Sequence, residues 1–376
     1  MKGDTKRFFS ASAILIGTCI GAGVLAIPYV AVQSGFFVAL GYILFIGLML
    51  MVVNLYLGEI SLRTKEKHQL AGYVEKYLGR KAGWVMEFAF VFGIYSAIIA
   101  YLLGIGGSIS FLVYGDLSHT LLFGVLFGVF MSALIWRGLK SLKFFEKVGV
   151  SLVFLLLILI FIIFIKDFSF VNLTGFNSSN IFLPFGVVLF ALLSFSAIPE
   201  VNLVLKKNEH LMKRSILFAI VFCTIFYALF TLIIVGAKGF ETPEIATLAL
   251  GTIFVFFGIL TMFTSYLALG NALRDNLKYD ERMSRFKAWF FSAIIPVVVF
   301  ALINYFDIFS FSKILSIGGT IAGGLTAILI LFCVKVAKKK GNRKPEYSFP
   351  LNWFILGIVT LIFVLGIVQE VWGILV

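Results

Sequence analysis

Long apolar runs alternate with short polar loops along this chain, and the length of the runs is the first constraint on its fold. A helix needs about 20 apolar residues to cross the hydrocarbon core of a bilayer. Eleven runs qualify: Phe8 to Val32, Phe36 to Leu62, Trp84 to Val113, Thr120 to Trp136, Val148 to Ile165, Ile181 to Leu205, Ser215 to Gly236, Leu248 to Leu273, Trp289 to Tyr305, Ile314 to Val334 and Trp353 to Val376. No Pro/Gly/Ser-rich linker or hydrophilic domain separates them, so the pattern predicts an all-α integral membrane protein with one transmembrane domain over residues 1–376. In the loop TKEKHQLAGYVEKYLGRKAGW, Leu70, Tyr73, Val74 and Tyr77 fall at helical spacing, which predicts an interfacial helix ending near Gly79.

Two runs carry interruptions. In the first, GTCIGAGVLAIPY places three glycines and a proline within Gly17 to Tyr29, although Gly is about 1 kcal/mol and Pro about 3 kcal/mol worse than Ala inside a helix. In the sixth, LFALLSFSAIPEVNLVLKK places Ser194, Ser196 and Pro199 mid-span, with Glu200 next. Either break alone is explained by close helix packing or a kink. Together they sit at matching positions in runs five apart, which predicts two inverted five-helix repeats, residues 8–165 and 181–334, with discontinuous helices 1 and 6 and an eleventh helix at 353–376.

Composition agrees with a chain dissolved in lipid: 61% hydrophobic and 13% charged residues, with a mean hydropathy of +1.07. The net charge of +13 raises the possibility of a nucleic-acid partner, but the basic residues form no single patch. Instead 28 of the 31 Lys and Arg lie in the amino terminus and every second loop, and only Lys166, Lys238 and Lys313 on the other side. By the positive-inside rule the amino terminus is then cytoplasmic and the carboxyl terminus extracytoplasmic, in the plasma or inner membrane. The opening basic stretch is followed by a run too long for a signal peptide, so it reads as a retained helix. Cys19, Cys223 and Cys333 all lie in apolar runs and predict neither a disulfide framework nor a metal site.

A broken helix in hydrocarbon exposes backbone groups that must be buried in protein or line a wet cavity. The half-helix that starts around Gly23 presents free N–H groups and a partial positive charge, which suit a carboxylate, and the glycines Gly21 and Gly23 let a ligand reach the backbone. Carbonyls near Ile16 to Thr18 and near Leu192 to Ser194 suit an ammonium group, so a zwitterion fits between the breaks. Thr261, Thr264 and Ser265 share one helix face and offer hard oxygens for Na⁺, against the plainer role of hydroxyls bonded back to their own helix. Of the intramembrane carboxylates, Glu59 and Glu87 lie close to Arg63 and Lys81 and read as structural, Glu370 is near a span end, and Glu200 is the candidate for proton coupling. Tyr95 and Phe195 are pocket candidates by position.

GAGVLAIP at Gly21 to Pro28 resembles the first-helix motif of the amino acid-polyamine-organocation superfamily, in particular the hydroxy/aromatic amino acid permeases and the amino acid/auxin permeases. YSAIIAYLLGIGG, TSYLALGNALRDNL and IPEV are similar to further family patterns. The resemblance implies a leucine-transporter-like fold. It implies that the substrate α-carboxylate sits on the backbone from Gly21 to Gly23, and with the breaks read above the expected substrate site is Thr18, Gly21, Ala22, Gly23, Tyr95, Ser194, Phe195 and Ser196. A cation, where present, lies between Gly17, Ile20, Thr261, Thr264 and Ser265. The family usually has glycine at the helix-six break, where this chain has Ser194, Phe195, Ser196 and Ala197.

The leading expectation is a secondary active permease for L-amino acids with aromatic or hydroxylated side chains, working by alternating access. Na⁺ or H⁺ is the coupling ion, with no cofactor and no metal beyond that sodium. The expected partners are the amino acid and the lipid bilayer, with no nucleic acid and no obligate protein. The alternative is a passive facilitator or channel for small organic solutes. An enzyme would need convergent His, Asp or Glu, yet His68, His119 and His210 all lie in or beside loops.

Overall fold

The structure, a computed structural model, describes residues 2–137, 158–279 and 281–375. Every regular element among these residues is helical. Among the described residues nine helices are long and apolar enough to cross a membrane, and a bent pair, Asp4–Cys19 with Gly23–Ser34, makes up to ten spans, its halves meeting at 52°. The predicted run from Val148 to Ile165 is helical over 158–164, and its first part lies outside the described residues.

In chain order the first elements are α1 (Lys2–Cys19), α2 (Gly23–Ser34), α3 (Phe36–Leu62), α4 (Leu70–Leu78), α5 (Arg80–Tyr114), α6 (Thr120–Arg137) and α7 (158–164). The next are α8 (Leu183–Ala191), α9 (Ile198–Val204), α10 (Met212–Lys238), α11 (Thr252–Tyr279), α12 (Arg285–Trp289) and α13 (Ile295–Tyr305). The last are α14 (Phe311–Ile317), α15 (Gly324–Lys340) and α16 (Trp353–Leu375). The predicted interfacial helix is α4; its apolar stripe of Leu70, Tyr73, Val74 and Tyr77 is buried, and Gly79 ends it at a φ of 92° that other residues rarely adopt.

Named contacts gather the basic loops on one face. Arg7 donates to the Lys206 carbonyl at 2.8 Å, the N–H groups of Asn342 and Arg343 both donate to the Arg63 carbonyl at 3.1 Å, and Arg343 lies 3.7 Å from Glu209. On that face Lys76 and Asn342 hold the Glu66 carboxyl down to about 2, because both donate to the carboxylate. The opposite face is closed by different bonds: Ser169 N–H to the Gly236 carbonyl at 2.9 Å, Asn177 N–H to the Ser34 carbonyl at 3.2 Å, and the Ser312 hydroxyl to Glu244 at 2.6 Å.

A buried carboxylate is costly unless paired, and Glu59 is fully buried near the basic face. It is paired with Arg63 at 2.8 Å and also with Lys338 at 2.7 Å, while Ser348 and the Phe349 N–H complete its shell. Glu59 therefore ties α3 to α15 and to the segment before α16, a structural role. Glu87 accepts from Asn276 of α11 at 3.2 Å, and Glu370 pairs with Lys313 at 2.8 Å, joining α16 to α14.

Candidate functional site

The first break occupies the residues between α1 and α2. Ile20 N–H still reaches the Ile16 carbonyl at 2.9 Å, but Gly21 N–H turns to the Cys19 carbonyl at 3.0 Å and the helical ladder stops. A new helix starts at Gly23; Leu25 N–H donates to the Ala22 carbonyl at 3.0 Å, and the N–H groups before it have no acceptor within the helix. Pro28 does not make this break. It lies inside α2, where the helix continues past it.

The second break runs from Leu192 to Ala197, between α8 and α9. Ser194 leaves helical geometry at φ −136° and ψ 11°, and Phe195–Ala197 form a single 3₁₀ turn. Pro199 lies in the first turn of α9, where its missing N–H would have no partner in any case. Asn54, fully buried in α3, holds the break from the side: its amide donates to the Leu50 carbonyl at 2.9 Å and its oxygen accepts from the Ser194 hydroxyl at 3.3 Å.

The two breaks touch. A β-carbon on Gly23 would lie 2.6 Å from the Cα of Ala191, the last residue of α8, which is closer than such atoms approach. Gly23 is thus a contact between the breaks as well as a helix start. Gly21 faces the other way, toward α5 and α11: a β-carbon there would lie 3.1 Å from the Tyr101 hydroxyl and 3.6 Å from that of Ser265.

A cavity of about 130 Å³ opens beside this junction. Thr18, Cys19 and Gly21 line it from the first break, and Phe195 and Ser196 from the second. Tyr101, Gly93 and Ala97 of α5 form a further wall with Gly318, Ala322 and Gly323, while Leu70 of α4 marks its direction toward the basic face. At one probe sphere of about 10 to 15 Å³ per water, this space holds on the order of ten waters, enough for one amino acid. Its wall is mostly apolar with a few polar groups, the usual make-up of a small-molecule site.

Of the residues singled out in the sequence, Thr18, Gly21, Phe195 and Ser196 line the cavity, and Ala22, Gly23 and Ser194 are buried among the elements that form it. Tyr95 is not brought there. Its hydroxyl donates to the Phe291 carbonyl at 2.5 Å, and Tyr101, within the same motif, takes the place expected of it. Thr261 and Thr264 donate along their own helix, to the Gly258 carbonyl at 2.9 Å and the Thr261 carbonyl at 3.0 Å. Their lone pairs stay available to a cation, and of the three it is the Ser265 hydroxyl that faces Gly21. Gly17 lies in the last turn of α1 and Ile20 follows that helix in the break. Glu200 is exposed in the first turn of α9, outside the cavity wall.

Three contributors escaped the sequence. Tyr101 is separated from Tyr95 only by helical register. Asn54 carried a signal, a lone amide within an apolar run. The run GGTIAG at Gly318–Gly323 reads as ordinary apolar sequence, yet it forms a π-helical turn packed against α5 and α8, a distortion frequent at functional sites.

An all-helical membrane protein with a mostly apolar, amino-acid-sized cavity between two broken helices belongs among small-solute permeases. Residues 4–247 match the tryptophan/tyrosine permease family, and the chain belongs to that family, one of permeases and not of enzymes. It is similar to glutamine transporter 2 of Aliivibrio fischeri, with 24% identity over 212 residues, 56% of this chain and 55% of that protein. It is also similar to tyrosine-specific transport system 1 of Haemophilus influenzae, with 27% identity over 129 residues, 34% of this chain and 32% of that protein. The chain spans about half and about a third of the length of these two relatives.

Proposed function

We propose that the protein is a secondary active transporter that carries an L-amino acid across the plasma or inner membrane by alternating access. The observation that supports this most is the meeting of both helix breaks at one cavity. There the first N–H groups of α2 are the natural seat of the substrate carboxylate, and the carbonyls near Ile16 to Thr18 and near Leu192 to Ser194 are the acceptors for its ammonium. The fold in this reading is the leucine-transporter-like arrangement of two inverted five-helix repeats, with the segment containing 158–164 as the fifth helix and α16 as the eleventh. The basic face is cytoplasmic, so the cavity's direction corresponds to an inward-open carrier.

The substrate's side chain lies toward Phe195, Tyr101, Gly93 of α5 and the glycines of the π-helical turn at Gly318–Gly323. That wall favours aromatic or hydroxylated side chains, and the tyrosine and glutamine named for the two relatives bracket the range. The coupling ion is Na⁺ at Gly17, Ile20, Thr261, Thr264 and Ser265, or H⁺ with Glu200 as its carrier. Counterflow into proteoliposomes, run for all twenty amino acids with Na⁺ or a pH gradient, tests the proposal. Saturable counterflow of at least one amino acid, concentrated against its gradient when the ion gradient is imposed, is the expected result. Flux that neither saturates nor concentrates would replace it with a passive facilitator.

A further inference from the structure

The space between the two breaks is bridged by a residue of neither. Tyr227 of α10 is fully buried, and its single hydroxyl sits 2.7 Å from the Cys19 carbonyl and 2.9 Å from the Ala191 carbonyl. Cys19 is the last residue of α1 and Ala191 the last residue of α8, so one O–H spans the final carbonyls of both interrupted half-helices. Helix ends leave their last carbonyls without intrahelical partners; the Cys19 carbonyl also takes the Gly21 N–H across the break at 3.0 Å, and a buried carbonyl that loses a donor costs free energy comparable to a lost hydrogen bond. A donor from a third helix that serves two such carbonyls satisfies each only while they stay a few ångströms apart. The Cys19 thiol, 3.7 Å from the Leu192 carbonyl, and the seat of Gly23 on Ala191 hold the same junction from either side.

We propose that Tyr227 is a positioning residue for the substrate site: its hydroxyl fastens the end of α1 to the end of α8, so that both helix breaks present their backbone groups to one ligand as a single unit. This rests on the proposed amino-acid site, because the carboxylate and the ammonium are then held by different parts of that unit. Tyr227 does not line the cavity, so it acts through the carbonyls and not by touching the ligand. Its ring is held independently, in a T-shaped contact with Phe226 at 5.8 Å, so removal of the hydroxyl isolates the bridge.

The test is Tyr227→Phe in the full chain, read in two ways. In detergent, hydrogen exchange is followed in peptides covering residues 17–23, 191–197 and 228–238. The proposal expects exchange to rise about tenfold at both breaks together, the size of one buried hydrogen bond lost, with the α10 peptide unchanged. A rise at one break alone, at neither, or equally across α10 overturns it. Tyr227→Met, which likewise lacks the donor and packs adaptably, carries the same comparison if the phenylalanine variant does not fold. In proteoliposomes, the KM for every transported amino acid should rise about tenfold while the maximal rate stays within twofold; an unchanged KM overturns the positioning role. A wild-type protein that transports no amino acid refutes the transport reading instead, and the exchange experiment then still decides whether Tyr227 joins the breaks.

Discussion

The two helix breaks are built from different materials. The first is made by glycine: Gly21 opens the chain toward Tyr101 and Ser265, and Gly23 lets α2 start against the backbone of Ala191. The second contains no glycine. It is made by Ser194, which leaves helical geometry beside Asn54, and by Pro199, which opens the next helix. The family's usual glycine at the second break is absent here, yet the close approach such a glycine would allow still occurs, because Gly23 provides it from the other partner. A contact needs room on one side only, so the residue that makes it possible can belong to either helix.

The largest effect should come from crowding that shared contact. Gly23→Ala places a methyl 2.6 Å from a backbone atom that cannot swing aside, whereas Gly21→Ala meets the movable tip of Tyr101 at 3.1 Å. Overpacking costs about 1 to 3 kcal/mol, so Gly23→Ala is expected to abolish uptake and lower the unfolding temperature, while Gly21→Ala weakens uptake with a smaller thermal change. Thermal unfolding and uptake on both variants check the order; equal effects would show that Gly23 is no tighter than Gly21.

Next in size is a difference in surroundings, since of the two breaks the first has the Ser265 hydroxyl of α11 beside it. If Na⁺ is the coupling ion, Thr264→Val combined with Ser265→Ala should lower its apparent affinity more than tenfold, because each charge-assisted contact is worth about 1.5 to 3 kcal/mol. Sodium dependence of uptake at constant pH reads this. Uptake that persists in choline and vanishes when the pH gradient is collapsed would assign those hydroxyls to packing.

The second break has its own support. Asn54→Leu removes the acceptor of the Ser194 hydroxyl and leaves a buried polar group bare, a cost of about 1 to 3 kcal/mol. Hydrogen exchange should rise in residues 191–197 and stay unchanged in 17–23, the reverse of the joint loosening expected for Tyr227→Phe. The smallest effect concerns selectivity: Phe195→Ala should weaken aromatic substrates several-fold more than alanine or serine in competition assays. Equal losses would reduce Phe195 to packing.

Both breaks were legible in the sequence because glycine, proline and serine are conspicuous against an apolar run. Nine to ten of the eleven predicted spans, those among the described residues, were legible for the same reason, and so was the charge asymmetry that the loop contacts collect on one face. Tyr101 was not, because choosing between it and Tyr95 requires the rotation of α5: six residues turn a helix by about 240°, which sends one hydroxyl to the junction and the other to Phe291. Tyr227 and Asn54 were hidden for a different reason. Their partners lie 36 to 208 residues away for Tyr227 and 140 for Asn54, and only the packed bundle brings them together. Pro28 carried a misleading signal, since a proline within a membrane helix can be absorbed by its neighbours without ending the helix.

The central claim is that a zwitterion bridges the two breaks, with its carboxylate on the first N–H groups of α2 and its ammonium on carbonyls near Ile16 to Thr18 and near Leu192 to Ser194. The most direct measurement is competition of counterflow, for whichever aromatic amino acid is transported, by analogues that keep the side chain and lose one charged end: the decarboxylated amine and the deaminated acid. Both analogues should compete at least a hundredfold more weakly than the parent amino acid, since each leaves one set of buried backbone groups unpaired at a cost of about 1 to 3 kcal/mol and forgoes a charge-assisted contact worth about 1.5 to 3 kcal/mol. Either analogue competing as well as the parent would contradict the account, because one break would then suffice to hold the substrate.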